Sequence, residues 1–248
     1  MNRLPPPALR VIVGLAACVP LAPLAAPSDY VFVPYQDPGQ WRVSYAAGQE
    51  HGRDGEVESA HAVSLGVSPT ARWFTAVYAG WYREPGEPLV FDAWSWVNHV
   101  QLTAPGAGPF QAGAYCEVER PRERDEGTIV TCGPTLQLDT ERLQFNLNPL
   151  IGKALHAEDP SPASLSYQWQ VKGLWRPHLE LGAQGFGTVG AWDHWLPASQ
   201  QEHSAGPAVF AKWATGPGSA LQLDAAWLLG IGSGSPRDTW RLRVEQVF

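Results

Sequence analysis

Apolar and polar residues alternate along most of the chain, from Trp41 to the last residue. A period of two is typical of β-strands, and turn-forming residues such as Gly, Pro and Asp separate one alternating stretch from the next. The pattern predicts about twelve strands, with no convincing helix and no linker that would divide the region. The predicted strands cover residues 41–47, 61–67, 73–82, 91–102, 112–119, 128–138, 143–151, 165–175, 179–186, 206–213, 220–231 and 240–248.

The last predicted strand shows the alternation clearly. Leu242 and Val244 lie on one face, whereas Arg241, Arg243 and Glu245 lie on the other. Two folds have such faces: a soluble β-sandwich, and a barrel whose strands cross a bilayer. The predicted strands are close to the roughly 9–11 residues that a tilted strand needs to cross a bilayer.

The connections between the strands favour the barrel. Residues 48–60 and 187–205 form long connections, residues 68–72 and 176–178 form tight ones, and only 103–111 departs from the alternation. Outer-membrane barrels have short periplasmic turns, longer outer loops and an even number of strands. We therefore expect an all-β fold, a transmembrane antiparallel up-and-down β-barrel of about twelve strands over residues 41–248.

The aromatic residues collect at the ends of the predicted strands. Indole rings favour the headgroup level of a bilayer, where both the apolar ring and the N–H group are satisfied. If the first strand runs outward, one girdle at the periplasmic edge contains Trp41, Trp73, Trp175, Trp213 and Phe248, and a second at the outer edge contains Trp81, Trp94 and Trp240. The alternative is that these are core residues of a soluble sandwich, which would have difficulty burying so many indole rings.

Composition and charge argue against several other classes of protein. The 248 residues include 12 Trp, which argues against intrinsic disorder, because disordered chains are poor in aromatic residues. A net charge of −7 with only 17 Lys and Arg argues against a nucleic-acid partner. The 25 Gly and 23 Pro disfavour a helical bundle.

The first 26 residues have the layout of a cleaved export signal. Arg3 and Arg10 precede an apolar stretch over residues 11–24, and the small residues Ala25 and Ala26 follow it. The apolar stretch is too short for a transmembrane helix, which needs about 20 residues. We expect residues 27–40 to form an N-terminal periplasmic segment ahead of the barrel. Residues 15–18 also resemble the lipobox of bacterial lipoproteins, which leaves lipidation of Cys18 as an alternative.

The terminal strand from Trp240 to Phe248 resembles the C-terminal signal of bacterial outer-membrane β-barrel proteins. It ends in Phe and has apolar residues at alternate positions, although Gln246 departs from the usual apolar or aromatic residue. The resemblance implies a place in the bacterial outer membrane, contact with its lipids, and recognition of this strand by the barrel-assembly machinery. Twelve-stranded members of this class include passive channels for small solutes and a phospholipase, so the resemblance leaves the function open.

Export would place Cys116 and Cys132 in an oxidising compartment, where disulfides persist. The two cysteines are equally distant from Arg124, the centre of the connection between their strands, so they face each other in a symmetric hairpin. Parity places both on the lipid side. A cross-strand disulfide is expected, and two buried free thiols are the alternative.

The other face of the strands would line the lumen. It carries polar residues of both charge signs, which predicts a passive, weakly selective channel or binding site for a small polar solute. A lumen closed by ion pairs and amide hydrogen bonds, with a structural or surface-loop role, is the alternative. The expected lumen-facing residues are Arg42, Glu117, Glu119, Gln168, Gln170, Lys172, Glu180, Lys212, Asp224, Arg241, Arg243 and Glu245.

Catalytic and metal-binding patterns are weak. His203 and Ser204 resemble part of an outer-membrane phospholipase motif, but neighbouring residues of a strand face opposite sides, so the His could not easily activate the Ser. The seven His are scattered, and two cysteines 16 residues apart match no closed zinc pattern. We expect no enzyme activity, no metal and no cofactor.

Overall fold

The structure is a computed structural model that describes residues 27–34, 38–104 and 108–248. It confirms the predicted barrel: each strand pairs antiparallel with its neighbours in sequence, and the last strand pairs with the first, which closes the barrel. The twelve strands are β1 (Trp41–His51), β2 (Val57–Thr70), β3 (Trp73–Arg83), β4 (Val90–Gln101), β5 (Phe110–Pro121), β6 (Thr128–Asp139), β7 (Leu143–Leu155), β8 (Ser164–Arg176), β9 (Leu179–Ala191), β10 (Glu202–Gly216), β11 (Ser219–Gly230) and β12 (Asp238–Val247). Among the described residues, no helix is long and apolar enough to cross a membrane.

Several strands extend beyond their predicted ends. β9 and β10 continue into the long connection expected over residues 187–205, because the glycines there pack rather than break the strand. A Cβ at Gly187 would overlap the ring of Tyr167 on β8, so a small residue allows that ring to lie against the strand. The small residues that predicted a loop therefore serve side-chain packing across the sheet.

The connections differ in length at the two ends of the barrel. Residues 71–72, 140–142, 177–178 and 217–218 form tight turns at the end where β1 begins. In two of them a proline is followed by a residue with positive φ, His178 (70°) and Gly218 (73°), as in type II turns. The connections at the opposite end, residues 52–56, 84–89, 122–127, 156–163, 192–201 and 231–237, are longer, and 102–109 remains the exception to the alternation.

The outer face of the barrel is apolar and open. Leu147 on β7 is 47% exposed and Leu65 on β2 is 54% exposed, at mid-strand positions where a soluble sheet would bury them. Such a continuous exposed apolar surface marks a contact with a partner or a membrane. All of the predicted girdle residues are exposed except Trp81, which is half-buried against Phe91.

The N-terminal segment corrects the expectation of a periplasmic position. Residues 27–34 lie inside the barrel lumen, where Pro34 is fully buried and Val31 is 5% exposed. Pro27 approaches the backbone of Gly48 so closely that a Cβ at Gly48 would overlap its carbonyl group. The polar lumen wall can satisfy the segment's peptide groups, and burial of its apolar side chains adds to this. The predicted export signal, including Cys18, lies outside the described residues.

Candidate functional site: the barrel lumen

The register of the strands places the lumen candidates on the same face as the buried residues. Glu117 faces Val97 across β4 and β5, and Gln168 faces Asn148 across β7 and β8. Lys212 has the same parity but is exposed near the end of β10. The remaining candidates on this inward face are Arg42, Glu119, Gln170, Lys172, Glu180, Asp224, Arg241, Arg243 and Glu245.

Ion pairs tie several of these charges together. Glu245 on β12 is buried and accepts from Arg243, and its other oxygen lies 3.7 Å from Arg42. Lys172 and Glu180 pair at 3.0 Å between β8 and β9. Because these charges are paired, the lumen wall near the end where β1 begins holds them in fixed positions.

A chain of amide hydrogen bonds runs along the lumen wall from β6 to β11. Gln184 donates to both oxygens of Asp224, at 3.2 and 3.1 Å. The chain continues through Gln184 to Gln170 (3.3 Å), Gln170 to Asn146 (2.9 Å), Asn146 to Gln137 (3.0 Å) and Gln137 to Asp139 (2.8 Å), the first residue of each pair donating. The amides of Gln170, Asn146 and Gln137 both donate and accept, which fixes the rotamers of a belt whose residues come from five strands, β6 to β9 and β11.

The lumen is more acidic than the sequence predicts. The lumen-facing residues expected from the sequence include five cationic and five acidic side chains, but the sequence pattern assigns Glu50, Glu58 and Glu202 to loops and Asp139 to a turn. These four residues lie within strands and share the inward face. Among the described residues, carboxylates therefore outnumber cationic groups along the lumen.

Two cavities lie near the end of the barrel that is opposite the tight turns. A small one of about 20 Å³ lies between Glu50, Glu202, Thr188 and Arg241, and has room for about one water molecule. The larger, of about 370 Å³, lies between the 84–89 and 122–127 loops and is lined by Tyr82, Phe91 and several carboxylates.

Glu126 in the 122–127 loop lines this larger cavity. Partial burial raises the pKa of Glu126, and the neighbouring carboxylate of Asp92 raises it further.

The two cysteines are joined by a disulfide. Cys116 and Cys132 are direct partners in the register of β5 and β6 and lie on the outward face, opposite in parity to the buried Tyr115. The bond therefore lies on the apolar side of the barrel wall.

His203 and Ser204 point to opposite sides of β10, as the parity argument requires. The His203 ring hydrogen-bonds the hydroxyl of Tyr167 at 2.8 Å and the side-chain oxygen of Gln201 at 3.0 Å. Within the described part of the chain, no group of three or more His, Cys, Asp or Glu side chains is placed to hold a metal ion.

Known proteins resemble this chain in fold and not in sequence. No protein family and no curated protein matches the sequence. The COG4313 outer membrane channel from Pseudomonas putida F1 superimposes with a TM-score of 0.63 at 12% identity, covering 88% of this chain and 98% of that one. Lower scores are found for the translocator domain of the autotransporter NalP from Neisseria meningitidis (0.47, 13% identity, 86% and 89% covered) and for OprD from Pseudomonas aeruginosa (0.38, 12% identity, 85% and 65% covered). The chain thus has the architecture of the bacterial outer-membrane β-barrel proteins.

Proposed function

We propose that this protein is an integral protein of the bacterial outer membrane that gives small polar solutes a passive, weakly selective path. The observation that carries the proposal is a closed barrel with an apolar outer face and a polar, charged inner face. In the described barrel each of the twelve strands is paired on both sides, so its backbone is suited to a solvent that offers no hydrogen bonds.

The apolar outer face supports the membrane location. Exposed Trp41, Trp73 and Trp213 lie at one end of their strands, and exposed Trp94 and Trp240 lie near the other. Two aromatic girdles with an apolar band between them are the surface pattern of outer-membrane barrels. Among the solved structures of similar fold is an outer membrane channel.

The inner face supports a polar solute. Its amide belt and paired charges offer donors and acceptors at close spacing, which replace part of the hydration shell of a neutral polar molecule. Paired charges favour weak rather than strong discrimination between ions, because a ring of one sign is what gives strong selectivity.

A barrel with a closed lumen and a role for its surface loops is the second candidate. It is favoured by the segment 27–34 inside the barrel, together with fully buried inward side chains such as Asn148 and Gln184. Conductance of the purified protein in a planar bilayer separates the two functions, because a permanently sealed barrel passes no current.

Liposome swelling with neutral sugars of increasing size is the companion measurement. A size-dependent influx supports the channel, and no influx of any solute, together with no current, would favour the closed barrel. The reconstituted protein should first show heat-modifiable mobility, so that an unfolded preparation is not mistaken for a closed one.

We also propose that the barrel-assembly machinery recognises β12. Trp240 and Leu242 lie on its exposed face, and Phe248, one residue beyond the end of the strand, is exposed as well. Removal of Phe248 should reduce the folded, heat-modifiable fraction in outer membranes, whereas substitution of exposed Glu141 in the 140–142 turn should not. Equal amounts of folded protein from the two variants would contradict this role.

A further inference from the structure

The segment 27–34 contacts opposite walls of the lumen through alternate side chains. Tyr30 and Phe32 point toward β3 and β5, and Val31 points toward β9, β10 and β11. Alternation of this kind is the geometry of an extended peptide, in which successive side chains point to opposite sides.

Tyr30 and Phe32 of the segment pack against one wall of the lumen. The ring of Phe32 stacks on Tyr115 with centroids 3.9 Å apart, against a buried cluster that includes Val97 and Leu150. The hydroxyl of Tyr30 hydrogen-bonds that of Tyr78, and the guanidinium of Arg243 lies 3.9 Å from the Tyr30 ring centre. This wall thus contacts both aromatic rings of the segment.

The opposite wall is apolar at the point where Val31 contacts it. Val31 belongs to a buried cluster that contains Phe186, Phe210 and Leu228 from three adjacent strands. Val31, which lies between the two aromatic residues in the sequence, therefore has an apolar environment of its own.

The peptide backbone is recognised as well. Asn148 donates to the carbonyl oxygen of Phe32 at 2.9 Å, and the side-chain oxygen of Gln168 accepts from the Phe32 N–H at 3.4 Å. Asn148 also donates to the same Gln168 oxygen at 3.3 Å, which orients the two amides together. Arg241 donates to the carbonyl oxygen of Asp29 at 3.1 Å.

We propose that the lumen contains a recognition site for a short extended peptide with two aromatic side chains at alternate positions, and that residues 29–32 occupy this site in cis. Main-chain hydrogen bonds with separate environments for alternate side chains are the general form of strand-like peptide recognition. A peptide of the same pattern supplied from outside would compete with the segment. Because the segment lies across the lumen between opposite walls, its departure would also widen the path, a consequence that rests on the proposed channel function.

Because residues 27–34 belong to the same chain as the barrel, they have an advantage over a free peptide in binding to the site. A tethered ligand has an effective concentration on the order of millimolar, so a free peptide competes poorly while the segment binds normally. The contact between Pro27 and Gly48 provides a way to weaken the segment without altering the site. Gly48→Ala places a Cβ where the Pro27 carbonyl lies, whereas Gly80→Ala on β3 meets only ordinary contacts, the nearest at 3.6 Å.

The test measures binding of a fluorescent, end-blocked Asp-Tyr-Val-Phe peptide to the full-length mature protein by anisotropy. We expect Gly48→Ala to bind it at least tenfold more tightly than the wild type and Gly80→Ala. The matched Asp-Ala-Val-Ala peptide should bind at least tenfold more weakly to the same variant, because it lacks the ring that stacks on Tyr115 and the ring that lies under Arg243. Equal binding of the two peptides, or no gain over the wild type in a folded Gly48→Ala protein, would overturn the recognition site.

A second variant and a second measurement keep the outcomes separate. If Gly48→Ala does not show heat-modifiable folding, Phe32→Ala weakens the segment and leaves every wall residue intact. Conductance of the same preparations should rise in the weakened variant and fall again on addition of the Asp-Tyr-Val-Phe peptide. Peptide binding without conductance in any variant would refute the channel and leave the site standing, and conductance without peptide binding would do the reverse.

Discussion

Cys116 and Cys132 face each other directly across β5 and β6 on the apolar side of the barrel, joined by a disulfide with their Cα atoms 4.2 Å apart. A close pair of this kind is the non-hydrogen-bonded type, in which opposed side chains approach most nearly. The next inward pair along the hairpin is Tyr115 with Gly133, and the Phe32 ring stacks on Tyr115. The disulfide therefore fixes the register of the strand that contacts the inner segment.

Loss of this bond should destabilise the folded barrel. We expect the double variant Cys116→Ser, Cys132→Ser to lose about 2–4 kcal/mol, since the bond closes a loop of 16 residues in the unfolded chain. The measurement is the midpoint of urea unfolding in vesicles, compared with the wild type under reducing and non-reducing conditions. Alkylation of two thiols in the unreduced, denatured wild type would show instead that the bond does not form.

Substitution on the outer face tests the membrane location directly. Leu147 on β7 and Leu89 in the 84–89 loop have nearly the same exposure, 47% and 46%. In a membrane, Leu147→Arg places a charge near the centre of the bilayer and should cost about 2–4 kcal/mol. Leu89→Arg, at the rim, should cost less than about 1 kcal/mol. The same small effect for both, measured by unfolding in vesicles, would be the behaviour of a soluble protein.

The ion pairs in the lumen predict that the free energy of unfolding depends strongly on one carboxylate, that of Glu245. Glu245→Ala leaves Arg42 and Arg243 without their shared partner and should cost about 3–5 kcal/mol, as expected when one member of a buried ion cluster is removed. Glu180→Ala is the matched control, because the Lys172–Glu180 pair is more exposed and should be worth about 0–1 kcal/mol. Comparable losses for the two variants in urea unfolding would contradict the difference in burial.

Most of the fold can be predicted from the period-two pattern of the sequence. The twelve predicted strands correspond one to one with β1–β12. Successive side chains of a barrel strand point alternately outward and into the lumen, so each strand leaves a period of two in the sequence. Strand ends were less accurate. Glu50 and Glu202 lie beyond the predicted ends of their strands, where glycine and short polar residues suggest loops. A barrel strand that extends past the membrane no longer needs an apolar outer face, so its pattern weakens while its pairing continues.

The position of the N-terminal segment could not be predicted from local pattern. Residues 27–34 are too short and irregular to show a period, and their partners Tyr115, Asn148 and Arg241 lie on separate strands that only the closed barrel brings together. A weak sequence signal is visible afterwards, since Tyr30, Val31 and Phe32 are aromatic or β-branched residues, the types enriched in extended strands. The amide belt could not be predicted either, because its residues lie on five strands and meet only in the register of the closed barrel.

The excess of carboxylates on the lumen wall predicts which ion passes more easily. Glu50 and Glu58 are direct partners across β1 and β2 and lie near the outer end of the lumen. Acidic side chains in a narrow path favour cations, and their effect extends about 10 Å at 0.1 M salt but only about 3 Å at 1 M. The reversal potential in a potassium chloride gradient should therefore show a modest preference for potassium that falls as the salt concentration rises.

The double variant Glu50→Gln, Glu58→Gln should move that reversal potential toward zero, because it removes two negative charges and keeps nearly the same side-chain shape. Glu141→Gln is the control, since Glu141 is an exposed carboxylate in the 140–142 turn, outside the lumen wall. A preference for chloride in the wild type, or equal shifts from the double variant and the control, would show that the lumen carboxylates do not set the selectivity. A shift confined to the double variant would assign the preference to the outer half of the lumen, where β1 and β2 bring the two carboxylates together.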